Sequence, residues 1–280
     1  MLGKLLKYEF KGLLTPVIIM LCVLFGTTAL ALITFFSINP TLESTVNGVS
    51  VMLSMFAIFL YYIGIIGTSI GILLIIAIRF YKTCYTDQGY LTHTLPVTKH
   101  QLIGAKTLAS IISYLLVMVS IAISVVTLVC LGGKHFLKFD TTGSIHTLLD
   151  LFKYIGEGCL EAFGVKLNTL IFTYSIAIFI SCITSVIIAM GCISLGQLYA
   201  KHKIIGAIIA YFIIAFLQQT LDSIYSTVFY SSVLTSNNAD MTMYKFFMPQ
   251  LLCTIIIQVI LAAVLYFVNI YMAEKKLNLE

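Results

Sequence analysis

The sequence predicts an all-α, polytopic membrane protein with about six transmembrane helices, an N-terminal amphipathic interface helix and cytoplasmic N- and C-termini. Three observations carry this expectation: an extreme composition, six long uncharged stretches, and an uneven distribution of basic residues. Of the 280 residues, 60% are apolar and 10% are charged, whereas a soluble domain carries about 25% charged residues. The charges are gathered into short segments, and the gaps between them run from Lys11 to Glu43, Glu43 to Arg79, Lys106 to Lys134, Lys166 to Lys201, Lys203 to Asp222 and Lys245 to Glu274. Each gap holds close to, or more than, the roughly 20 apolar residues that cross a bilayer core as helix. The short alternating pattern of a membrane barrel is absent from the sequence, so helices that satisfy their own backbones are expected.

The basic residues set the orientation. Six spans place eleven of them on one side (Lys4, Lys7, Lys11, Arg79, Lys82, Lys99, Lys106, Lys201, Lys203, Lys275 and Lys276) and five on the other (Lys134, Lys138, Lys153, Lys166 and Lys245). The richer side is expected to be cytoplasmic. The net charge of +5 therefore forms collars at span ends, not a groove for nucleic acid. Of the seven cysteines, Cys22, Cys130, Cys182, Cys192 and Cys253 fall in apolar runs, Cys84 in a cytoplasmic loop and Cys159 outside, which reads as packing and not as a disulfide framework.

Along the chain, residues 1–14 have helical period, with Leu2, Leu6, Phe10 and Leu13 on one face and Lys4, Lys7 and Lys11 on the other, and are expected to lie on the inner membrane surface. Thr15 and Pro16 then suit the cap and first position of a span over 16–38. The basic start and Ala29-Leu30-Ala31 resemble a secretory signal, but the apolar run continues to Ile38 and favours a retained span. In the second span, 51–78, Gly64, Gly67 and Gly71 invite a close helix neighbour. Ser54, Tyr61 and Thr68 recur every seven residues there, and either bond to another helix or face a polar cavity. The remaining spans are expected at 107–131, 168–195, 204–222 and 247–271. The external segment 132–166 contains a helical run at 144–152, which either rests on the outer surface or meets an exported molecule. The polar aromatic stretch 223–236 reads as a short helix or re-entrant hairpin.

The most specific segment is the connection 79–106, RFYKTCYTDQGYLTHTLPVTKHQLIGAK. Asp87 can cap a short helix that places Tyr90, Leu91, Thr94 and Leu95 together before Pro96 ends it. Thr98 and Gln101 then form a capping box for the next helix. A short helix with an exposed apolar face needs a partner or the lipid interface to cover it. His93 and His100, seven residues apart across Pro96, are not read as a metal site.

From Asp87 to Pro96 the chain reads Asp-Gln-Gly-Tyr-Leu-Thr-His-Thr-Leu-Pro, which resembles the ABC-2-type permeases of bacterial ABC exporters. In one group of these, Asp-x-Gly-Tyr-Leu-Thr-x-Thr-Leu-Pro follows the second span. Residues 2–11, Leu-Gly-Lys-Leu-Leu-Lys-Tyr-Glu-Phe-Lys, look like the same group's start, and Gln88 stands where that group has an acidic residue. The resemblance implies a single permease domain over 1–280 in a bacterial cytoplasmic (plasma) membrane. It also implies a separate cytoplasmic ABC ATPase dimer that grips a coupling loop made of Asp87, Gly89, Tyr90, Leu91, Thr94, Leu95 and Pro96. ATP would be bound by that partner, with no cofactor in this chain, and a second permease chain, identical or related, would complete the pore.

The residues agree with this division of labour. No Gly-x-x-x-x-Gly-Lys-Ser/Thr loop and no large soluble segment occur in the sequence, so the chain is not expected to be an enzyme or to hold ATP itself. An ion-coupled transporter would carry ionisable groups within its spans, and an intramembrane enzyme would carry a nucleophile with its base or a set of metal ligands; neither pattern is present. A non-transporting membrane sensor or immunity protein shares the composition and stays open as the alternative. Tyr61, Tyr62, Phe212 and Phe216 are candidates for a path taken by an amphipathic or apolar cargo such as an antimicrobial peptide or drug.

Overall fold

A computed structural model describes residues 2–36, 44–86, 89, 98–137, 148–199, 202–235 and 242–275. The described residues are all-α and form seven helices: α1 Leu2–Phe36, α2 Ser44–Tyr85, α3 Lys99–Leu137, α4 Leu148–Phe163, α5 Leu167–Gly196, α6 Lys203–Thr235 and α7 Met243–Lys275. All except α4 are long and apolar enough to cross a membrane. The shortest of those six, α5, has 30 residues and extends about 45 Å, half as long again as the bilayer core. The chain is thus a multi-pass membrane protein, with six candidate spans among the described residues. With no water to bond a free backbone group in the bilayer core, continuous helices are the form these apolar runs must take.

The helices run past the bounds the charges suggested, for identifiable reasons. The expected break at Thr15 and Pro16 is absent: α1 is one helix with Pro16 inside it, a residue that membrane helices tolerate because neighbouring groups re-satisfy the freed carbonyl. The helical period of its start survives, with Lys4, Lys7 and Lys11 exposed, Leu6 and Phe10 half-buried and Leu13 buried. The connection expected at 79–106 is shorter, because α2 continues to Tyr85 and α3 begins at Lys99. Cys84, expected in a loop, is therefore helical and buried. The stretch 223–236, expected as a short helix or a re-entrant hairpin, is helical through Thr235, as the last third of α6 and not as a separate helix. Its hydroxyls bond back to the helix itself, Ser223 Oγ to the Gln219 carbonyl at 2.8 Å and Thr227 Oγ1 to the Ser223 carbonyl at 2.8 Å, so polarity alone does not end the helix. Tyr230 also stacks on Phe246 of α7 at 4.8 Å between centroids, and Tyr225 stacks on Phe229 at 6.0 Å. The helical run expected at 144–152 is described from Leu148 and extends to Phe163 as α4.

The chain divides into two compact units. The unit formed by residues 12–74 and 113–157 contains most of α1 and α2 and the later part of α3. Glycines let α1 and α2 meet here: a Cβ on Gly64 would lie 2.7 Å from Thr27 Oγ1, and one on Gly71 would lie 2.7 Å from Met20 Cε. The space beside Gly67 is open. Ser54, Tyr61 and Thr68 are all buried, and the Tyr61 hydroxyl bonds Ser124 Oγ of α3 at 2.8 Å. For Tyr61 this is helix-to-helix bonding, whereas Thr68 donates to the Ile65 carbonyl of its own helix at 3.0 Å.

The other unit joins residues 1–11, 75–112 and 158–280. Its apolar centre packs Ile188 and Cys192 of α5 against Ala262 and Leu265 of α7, and Gly191 admits Leu265, whose Cβ a side chain at 191 would meet at 2.6 Å. At the turn between α5 and α6 the approach is closer still: a Cβ on Gly196 would lie 2.5 Å from the Ala207 backbone nitrogen, and one on Gly206 would lie 2.9 Å from the Gly196 carbonyl oxygen. Polar side chains between the spans are bonded to each other, Ser181 to Gln258 Oε1 at 3.1 Å and Thr254 to Asp222 Oδ1 at 3.1 Å.

Candidate coupling site

The site to be tested is the connection between α2 and α3 and what holds its two ends. Asp87, Tyr90, Leu91, Thr94, Leu95 and Pro96, the body of the expected coupling loop, lie outside the described residues. Of that group Gly89 is described: it is buried, and its N–H donates to the Thr86 carbonyl at 2.6 Å, turning the chain just after α2 ends. On the far side, the Gln101 N–H points at Thr98 Oγ1 at 3.4 Å. Together with the Leu102 N–H on the Thr98 carbonyl at 3.1 Å, this gives Thr98 the position of helix cap that its spacing to Gln101 predicts. The contact is long for a hydrogen bond.

Both flanks are fastened into one packed unit. At the end of α2, Tyr85 is buried and its hydroxyl lies 2.7 Å from Ser194 Oγ at the end of α5. Ser194 in turn donates to Asn269 Oδ1 of α7. A serine hydroxyl has one proton, so a chain running Tyr85 to Ser194 to Asn269 requires Tyr85 to be the donor of the first bond. Ser194 and Asn269 are fully buried, in surroundings where a satisfied polar link is strong and an orphan is costly. At the start of α3, Lys99 Nζ donates to the Ala273 carbonyl at 2.8 Å. Ile103 packs against Ile270, Ala273 and Tyr266 of α7, and His100 Nε2 lies 3.6 Å from Glu274 Oε1.

A charged junction ties the same two helices to the first turns of α1. Lys106 Nζ of α3 contacts Glu9 Oε1 at 2.6 Å, and Arg79 of α2 places an amino group 3.6 Å from Glu9 Oε2. The Lys106 side chain is 3% exposed and that of Glu9 18%. Among the described residues no acceptor reaches Arg79 Nε, and none reaches Asn269 Nδ2. One carboxylate thus faces two cations, both of which sit inside helices and not at loop ends. The contacts gather at one level the start of α1, the end of α2, the start of α3, and the ends of α5 and α7, so the first and last helices begin and end on the same side.

The residues proposed for a cargo path are not alike. Tyr61 is buried and bonded to Ser124, while Tyr62, next to it on α2, is exposed. On α6, Phe212 is 68% and Phe216 71% exposed. The partners that matter most at the junction, Glu9, Tyr85, Ser194 and Asn269, are ones the sequence reading did not single out. Glu9 carried a signal, being the one carboxylate before Glu43 and set among Lys4, Lys7 and Lys11. Asn269 carried another, as an amide in an apolar run. Comparison with protein-family models, with curated proteins and with solved structures returned no match.

Proposed function

We propose that this chain is the permease subunit of an ATP-driven exporter in a bacterial cytoplasmic membrane, worked by a separate cytoplasmic ATPase dimer and paired with a second permease chain. The observation that carries the reading is the anchorage of the 87–97 segment. Its two flanks are bonded to α1, α5 and α7, through Glu9, Ser194 and Ala273, so a push or pull on the segment is delivered to three spans besides the two that it joins. Such a segment suits a point where an external motor is attached. The resemblance of Asp87–Pro96 to the loop that ABC-2 permeases present to their ATPase supports the same role, with Tyr90, Leu91 and Leu95 as the gripped face. The excess of basic residues on that side favours a cytoplasmic location for it.

The cargo on this reading is amphipathic or hydrophobic, an antimicrobial peptide or drug. The exposed apolar side of α6 with Phe212 and Phe216 is available to lipid or to the second permease chain. The test is to purify the tagged chain from its native membrane in mild detergent and identify what accompanies it, then repeat with Leu91→Asp and Leu95→Asp together. An ATPase that is recovered with the natural chain and lost with the double variant, while the variant still inserts, is the expected result. Recovery of no ATPase even after cross-linking refutes the proposal and moves the assignment to a membrane sensor or immunity protein.

A further inference from the structure

The short helix α4 is too short to span, and its residues divide sharply. Phe152, Ile155, Cys159 and Phe163 follow one another at helical spacing along one side, while Lys153, Tyr154, Glu157 and Glu161 occupy the opposite side. A soluble helix of this kind would bury its apolar side on a protein core. Here no residue from Phe152 to Phe163 is buried, and Phe152 is 45% exposed.

The position of α4 says what covers that side. It follows α3 and precedes α5, both membrane spans. Three residues, Gly164 to Lys166, separate it from α5, a tether of no more than about 14 Å. The junction is fixed: the Gly164 N–H closes the helix on the Leu160 carbonyl at 3.0 Å, and Gly164 takes a φ of 71°, the left-handed end that glycine permits. A Cβ at Gly164 would lie 2.6 Å from Thr242 Cγ2, just before α7, so the end of α4 is seated beside the starts of two spans. Lipid reaches close to this level, because Ile171 and Phe172 in the second turn of α5 are exposed and need a hydrocarbon surround.

We infer that α4 lies in the lipid interface, its Phe152–Ile155–Cys159 side embedded among acyl chains and its Lys153–Tyr154–Glu157–Glu161 side in water, while Phe163 at its end lines a cleft with Leu170 of α5 and Tyr244 of α7. The polar side carries two carboxylates and one ammonium, so insertion of apolar area holds the helix there, not attraction to anionic headgroups. This placement does not depend on the exporter reading.

The chain contains no tryptophan, which makes the test direct. Tryptophan is introduced at Phe152→Trp or at Tyr154→Trp, two exposed positions on opposite sides, and the full chain is reconstituted into phosphatidylcholine vesicles. Emission from Phe152→Trp is expected to be blue-shifted relative to Tyr154→Trp and quenched severalfold more by brominated acyl chains. Iodide is expected to quench Tyr154→Trp severalfold more than Phe152→Trp. Added phosphatidylglycerol should leave both unchanged. Equal quenching of the two by iodide would place α4 in water and overturn the inference. Protection of Phe152→Trp from both quenchers would mean that a protein surface, a second copy or a bound cargo, covers this side, and would overturn it equally. A failure of Phe152→Trp to insert is resolved by Cys159→Trp, at the centre of the same side, read in the same way.

Discussion

The charged junction at Glu9 yields the sharpest expectation. At the 2.6 Å separation of Lys106 Nζ and Glu9 Oε1, an effective dielectric of about 20 gives a gross attraction of about 6 kcal/mol. Most of that offsets the cost of taking the two ions out of water, so the pair adds little net stability while intact. Breaking it is different. Glu9→Gln leaves the ammonium of Lys106, 3% exposed, buried without its counter-charge, at a cost of about 3–5 kcal/mol. Lys106→Met should cost less, because Glu9 is 18% exposed and keeps Arg79 at 3.6 Å. The double variant Glu9→Gln/Lys106→Met removes the buried lysine, leaves only the 30% exposed Arg79 side chain without its carboxylate, and should be more stable than Glu9→Gln alone, with a coupling of about 2 kcal/mol. The assay is equilibrium unfolding of the four proteins in mixed micelles, followed by loss of helicity, after confirming equal membrane insertion. Additive losses, or a double variant no more stable than Glu9→Gln, would refute the assignment of Glu9 as the counter-charge of a buried lysine.

Two further perturbations probe the same unit. Gly196→Ala drives a methyl into the Ala207 backbone, which cannot swing aside, and should cost about 1–3 kcal/mol or more; Gly67→Ala, with open space beside it, should be neutral or gain up to about 1 kcal/mol from helix propensity. Thermal inactivation of the two single variants, side by side, checks the contrast. Ser194→Ala orphans both the Tyr85 hydroxyl and Asn269 Oδ1, so it should cost more than Tyr85→Phe, which removes one bond worth about 1 kcal/mol. If Tyr85→Phe is the more damaging in the same unfolding assay, the chain through Ser194 is not what fastens α2 to α5.

What the sequence could disclose was governed by the length over which each signal is summed. Six spans follow from stretches of about twenty residues, where single exceptions average out. Helix ends depend on one or two groups whose partners are distant in sequence, and there the reading failed. Arg79 and Lys106 marked the expected span ends because an isolated cation in lipid is expensive, and the contact of both with Glu9, distant in sequence, supplies the counter-charge they share within the helices. Ser223 to Ser232 looked like a break because hydroxyls often compete with the helix, whereas here they bond to carbonyls three and four residues back. Gly64 and Gly71 gave the contact with α1, since a missing side chain has few other uses between spans, but nothing local separates them from Gly67. The junction links residues 9 with 106, 85 with 194 and 99 with 273, and pairing at that range leaves no periodic trace in a single sequence.

The order in which these contacts become available has a consequence for biogenesis. Glu9, Arg79 and Lys106 all lie in the first 106 residues, so the charged junction can close while the ribosome is still making the middle of the chain. Ser194, and above all Ala273, are synthesised much later. Until α7 has left the translocon, Lys99 lacks its carbonyl partner and Ser194 lacks Asn269. The bonds that fasten the end of α2 and the start of α3 are therefore completed only once α7 is in place, which delays the final packing of this unit until well after its charged junction can form.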